Sequence, residues 1–136
     1  MAGLDFAMLA EFARVDSGGL LTVVGGGFDR MEVRSSGLVQ QVHLVMRFNL
    51  GDGETSVGFG VRVLTPGDPV FQVEVSGLAV TDNREADAPV ARHAVTVIPL
   101  GFPVAVSGSY ALEIQVDGQV VGSLPFEVRI VAGTAS

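Results

Sequence analysis

Toward the C-terminus the chain alternates strictly between apolar and polar side chains. Tyr110, Leu112, Ile114 and Val116 fall at every second position, with Ser109, Ala111, Glu113 and Gln115 between them. Asp117-Gly118 follows, a dipeptide that tolerates positive φ at both central positions of a two-residue turn and is the strongest short-range hairpin signal. The chain returns with Leu124, Phe126, Val128 and Ile130 in step, while Glu127 and Arg129 occupy the opposite face. A period of two means one buried and one solvated sheet face. These residues predict two antiparallel strands joined by a tight turn.

The same period recurs upstream. Val42, Leu44, Met46, Phe48 and Leu50 share one face, and His43, Val45, Arg47 and Asn49 the other. Gly51-Asp52-Gly53-Glu54 turns the chain into a strand with Val57, Phe59, Val61 and Val63 inward and Ser56, Gly58, Gly60 and Arg62 outward. Pro66-Gly67-Asp68-Pro69 marks a further turn, after which Phe71, Val73 and Val75 face away from Gln72 and Glu74. Residues 80–89 form the longest polar connection. Arg92 to Ile98 predicts one strand, and Phe102, Val104 and Val106 a separate one. Near the start, Leu4, Phe6 and Met8 alternate before the pattern fades. Phe6, Leu9, Ala10 and Ala13 also fit a 3.6 period, so a helix competes there. Leu20 to Val24 predicts a strand after the Asp16-Ser17-Gly18-Gly19 turn.

About eight or nine strands at short spacing predict an all-β, antiparallel β-sandwich. No composition shift or repeat divides the chain, so residues 1–136 are expected to form one domain. With 136 residues, 48% of them hydrophobic, the chain is long enough to bury a sizeable core. Its charged fraction of 17% is low, which leaves neutral and apolar surface available for partners.

The net charge of −7 argues against nucleic acid and against anionic membranes, both of which need clustered cations. Every basic residue is arginine. Without lysine there is no Walker-type phosphate lysine and no Schiff base. Without cysteine there is no thiol nucleophile, disulfide or thiolate metal site. Met1 to Phe12 carries Asp5 and Glu11 and no basic start, unlike a signal peptide. No apolar run reaches the roughly 20 residues that span a bilayer. The expected compartment is the cytoplasm.

Two segments are candidate interaction sites. Gly25-Gly26-Gly27 precedes Phe28, Asp29 and Arg30. Such a run suits either a corner where a strand passes between sheets or, less naturally without a following helix, an anion-binding loop. The second is the outward row Ser56, Gly58, Gly60 and Arg62, where little side chain covers the sheet. Glycine inside a strand marks a bend or bulge, or a place where another backbone approaches closely. His43 and His93, the only imidazoles, show no metal-ligand or catalytic spacing, and no G-x-S-x-G elbow is present. Asp82, Glu85 and Asp87, with Asp52 and Glu54, are an alternative calcium loop, although EF-hand spacing is missing. No cofactor is expected.

The chain resembles a family of uncharacterised bacterial proteins, a domain of unknown function. The resemblance rests on Leu4-Asp5-Phe6-Ala7-Met8-Leu9-Ala10, on Gly26-Gly27-Phe28-Asp29-Arg30, and on Gly108-Ser109-Tyr110, Asp117-Gly118 and Leu124-Pro125-Phe126-Glu127-Val128. It implies an immunoglobulin-like or C2-like sandwich and transfers no activity. The resulting expectation is a non-enzymatic structural or protein-interaction module that binds itself or a larger assembly. The alternative is a sandwich that binds a small ligand or calcium through loops at one end.

Overall fold

A computed structural model describes residues 3–16, 20–34, 39–51, 53–66, 72–80, 92–104 and 106–131. Its regular elements are nine strands: β1 (Gly3–Val15), β2 (Leu21–Gly26), β3 (Arg30–Val33), β4 (Val39–Leu50), β5 (Ser56–Leu64), β6 (Gln72–Val80), β7 (Arg92–Pro103), β8 (Gly108–Val116) and β9 (Gln119–Ile130). They form two sheets, β2-β1-β4-β7 and β3-β9-β8-β5-β6. The fold is an all-β sandwich.

The even-numbered apolar residues of β4, the odd-numbered ones of β5 and the even-numbered ones of β8 meet between the sheets, none more than 9% exposed. Aromatic rings join the two layers. Phe48 stacks on Phe59 at 5.6 Å between ring centres. Phe102 of the first sheet lies 6.0 Å from Tyr110 and 5.7 Å from Phe126 of the second. Such pairs contribute roughly 0.5–1.5 kcal/mol beyond the area they bury. The Tyr110 hydroxyl donates to the Val106 carbonyl at 2.8 Å. Burial pushes the Tyr110 pKa above 10.0.

The terminal hairpin forms as its alternation requires. Val116 pairs with Gln119, and Asp117 (φ 53°) and Gly118 (φ 78°) are both left-handed, as a type I′ turn demands.

Four expectations need correction or refinement. The first segment is a strand throughout, not a helix. A bulge between Leu4 and Phe6 splits its apparent alternation: Leu4 faces the core, while Phe6 and Met8 face outward. Residues 92–103 are one strand, not two. As an edge strand, β7 accommodates Pro99 and Pro103 on the side that needs no ladder donor. Pairing is not wholly antiparallel, because β3 runs parallel to β9 from Arg30↔Glu127 to Val33↔Ile130.

The fourth concerns Val45, which alternation assigns to the solvated face of β4. It is completely buried in a second apolar cluster with Ala10 and Ala13, packed by Phe6, Met8, Leu21, Val23 and Val97. Pairing of β1 with β4 stops at Ala10↔His43, whereas pairing with β2 continues to Val15↔Leu21. The free end of β1 thus forms an arm with β2. The arm places Ala13 to Val15 beside Val95, Val97 and Pro99 of β7 and covers the outer face of β4.

Candidate functional site

On the outer face of the second sheet, β5 and β6 pair without interruption: Ser56↔Val80, Gly58↔Leu78, Gly60↔Ser76 and Arg62↔Glu74. β5 also pairs in register with β8, from Phe59↔Val116 to Leu64↔Ala111. Neither Gly58 nor Gly60 takes a positive φ, and a Cβ built on either would meet nothing within 4 Å. The bend or bulge that could explain them is therefore absent, and the monomer has no steric need for glycine at either position.

Gly77 shows what such a need looks like. It faces the core opposite Phe59, and a Cβ there would lie 2.7 Å from the ring.

Large apolar groups flank the bare strip. Leu78 is 62% exposed and Val80 56% exposed, both projecting from the edge strand β6 on the same side as Gly58 and Ser56. At the other end, Arg62 Nε donates to Glu74 Oε1 at 3.0 Å. A shallow cleft of about 300 Å³ lies between Gly60, Arg62, Glu74, Ser76 and Gln115. The face thus has a trough along β5 and a ridge along β6, with one ion pair at its end. The sequence singled out Ser56, Gly58, Gly60 and Arg62 but missed Leu78 and Val80. These sit two residues apart, the period-two spacing of one strand face, yet no alternation beyond Val75 had assigned them to it.

The Phe28-Asp29-Arg30 segment is a corner between sheets. Gly25 (φ 63°) and Gly27 (φ 82°) take left-handed conformations, and the Gly27 amide donates to the Leu9 carbonyl at 2.8 Å. Phe28 packs against the main core, the Asp29 carbonyl accepts from the Glu127 amide at 2.8 Å, and Arg30 opens β3. Asp29 and Arg30 are exposed, and among the described residues neither side chain forms an ion pair. A wide cleft of about 780 Å³ lies between Glu11, Gly25, Phe28, Arg30, Glu32 and Gln41. The structure does not bring this corner together with the β5–β6 face.

The histidines lie on the outer face of the first sheet. His43 Nδ1 donates to the Glu11 carbonyl at 3.2 Å, and its ring meets the edge of Phe12 at 5.4 Å. His93 pairs with Asn49, six positions along β4 from His43, so roughly 20 Å separates them at 3.3 Å per residue. Arg47 Nη2 donates to His93 Nδ1 at 2.8 Å. A guanidinium can only donate, so the His93 ring hydrogen sits on Nε2. Asp5 Oδ2 lies 3.4 Å from Arg47 Nε, yet that buried nitrogen makes no hydrogen bond, leaving a charge contact alone. Among the described residues, no three His, Asp or Glu side chains gather to hold a metal. Asp82, Glu85, Asp87 and Asp52 lie outside the described residues. Glu54 accepts from the Gly51 amide at 2.6 Å and closes its own turn.

Comparison with known proteins gives a family. The model of a family of unknown function, DUF6941, matches residues 5–129. The chain belongs to that family. No curated protein matches it. Among solved structures, Pseudomonas fluorescens alkylpurine DNA glycosylase AlkC, bound to DNA containing an abasic site analog, is similar over 94% of this chain. The identity is 11% and the TM-score 0.44, and the chain spans 30% of that protein's length. Among the described residues of this family member, no helix is long and apolar enough to cross a membrane.

Proposed function

We propose that this member of the DUF6941 family is a non-enzymatic protein-interaction module that docks through the outer face of β5 and β6. One observation carries the proposal: Gly58 and Gly60 leave a bare strip that the fold itself does not require, beside the exposed Leu78 and Val80. Removing Leu78 and Val80 from water against a partner contributes roughly 25 cal/mol per Å² of apolar surface. The glycines let the partner approach the sheet backbone. The separation of His43 from His93, roughly 20 Å along β4, supports the non-enzymatic reading, since the two imidazoles share no site. The proposed setting is the cytoplasm.

The architecture itself is proposed to be immunoglobulin-like. The order β1-β4-β7 facing β9-β8-β5-β6 parallels the A-B-E and G-F-C-C′ arrangement of those sandwiches. Tyr110, near the start of β8 and bonded back to Val106, supports the same reading as a tyrosine corner.

The test is photo-crosslinking in the native cell, with a photoreactive residue in place of Gln115, which borders the face, or of Val24, which is exposed on β2 of the other sheet. Protein adducts at position 115 that vanish with Gly58→Asp, and that position 24 does not form, are expected. If position 115 forms no protein adduct, the reading fails.

A further inference from the structure

We infer that the partner on this face is a second copy of the same chain, packed face to face about a two-fold axis parallel to the strands and lying between β5 and β6. The inference rests on the interaction-module reading and names its partner.

It follows from the register. Rotation about such an axis lays β6 of one copy over β5 of the other and preserves the height of every residue along the strands. Each outward side chain then faces the residue with which it pairs across the strands in its own chain. Leu78 enters the open space above Gly58 of the second copy, and Ser76 meets Gly60. Val80 meets Ser56, and Glu74 meets Arg62. Ridge fits trough twice, and acid meets base twice, because an isologous contact repeats every pair. The same patch is thus complementary to itself in shape and in charge.

Charge favours this face for self-contact. Two copies of net charge −7 repel, but the patch holds one arginine and one glutamate and is neutral. The Arg62–Glu74 pair within each copy is exposed and stabilises the monomer little. It can exchange partners across the axis at small cost. The size of the face sets the strength. Two strands about 30 Å long and 4.8 Å apart cover roughly 300 Å², little more than a third of the area that each partner contributes to a standard stable interface. The dimer is accordingly one that dissociates on dilution.

Sedimentation velocity on the full chain over a concentration series tests the inference. The average mass rises from one chain toward two as concentration increases. Gly58→Asp and Leu78→Asp each remove that rise, and Val24→Asp, at an exposed position on β2 of the other sheet, does not. Charge exchange then separates docking from damage to the fold. Arg62→Glu alone and Glu74→Arg alone each place like charges across the axis and are monomeric. An equimolar mixture of the two restores opposite charges at both contacts and forms a mixed dimer.

A chain that stays monomeric at every concentration overturns the inference, as does association indifferent to Gly58→Asp or a mixture that remains monomeric. A monomer that crosslinks at position 115 to a different protein overturns self-docking and leaves the interaction module standing. A monomer with no crosslink there removes both.

Discussion

Phe59 lies across Gly77, and its ring occupies the space that any side chain on Gly77 would need. A Cβ built there would sit 2.7 Å from the ring. Through its stack on Phe48, the same ring ties β5 to the opposite sheet. Gly77→Ala must push the ring off that stack and is expected to cost about 1–3 kcal/mol. Gly58→Ala, one strand away on the outer face, meets open space. It is expected to be neutral or to stabilise the monomer by up to about 1 kcal/mol, through a stiffer unfolded chain. Urea unfolding of dilute protein, read at the transition midpoint with an unchanged slope, separates the two.

Val45→Thr tests the buried outer face of β4. Alternation predicts that a hydroxyl there would reach water and cost nothing. The structure instead closes the site with the β1–β2 arm and packs it with apolar side chains. A hydroxyl buried without a partner costs about 1–3 kcal/mol, and a loss of that size in denaturant unfolding is expected.

Tyr110 governs the alkaline limit of stability. Its folded pKa is raised above the unfolded value of 10.0 by burial. The contribution is therefore intact below pH 10 and is lost as pH climbs through the folded value, because the unfolded chain gives up its proton first. The chain has one tyrosine, no lysine and no cysteine, so phenolate absorbance reports this group cleanly. Delayed phenolate formation in the folded protein is expected, together with a fall in melting temperature above pH 10. Tyr110→Phe loses the bond to Val106 and about 1 kcal/mol at neutral pH, and removes that alkaline fall.

Gly118→Ala places a side chain at φ 78° in the terminal turn and is expected to cost about 1–2 kcal/mol. Asp117→Asn, at φ 53°, should change stability by less than about 0.5 kcal/mol, since asparagine tolerates the left-handed region. Parallel thermal melts of the two variants compare the positions directly.

Elements whose partners are close in sequence were legible in advance. The β8–β9 hairpin, its Asp117-Gly118 turn and the inward rows of β4 and β5 follow from a period of two and a turn dipeptide, both local signals. The first segment resisted the same treatment. One extra residue at Asp5 moves Phe6 and Met8 to the face opposite Leu4, and no local signal announces a bulge of that kind. The runs Arg92–Ile98 and Phe102–Val106 look like separate strands, yet the donor that Pro99 lacks is one an edge strand does not need, and only the sheet order shows that β7 is an edge.

The candidate site divides in the same way. Three glycines, Gly58, Gly60 and Gly77, stand in two neighbouring strands and look alike in sequence. Their meanings depend on which face each occupies and on what stands over it. Gly77 makes room for a ring inside the protein, whereas Gly58 and Gly60 border open space outside it. The sequence alone determined that this chain is a β protein with an apolar core and a row of small residues, Ser56, Gly58 and Gly60, on one strand, because periodicity and composition are local properties. Tertiary structure decided that Leu78 and Val80 stand beside that row, that Val45 is covered and that the histidines are held apart. Each of those is set by register, sheet order and the folding of the β1–β2 arm, which bring together residues far apart along the chain.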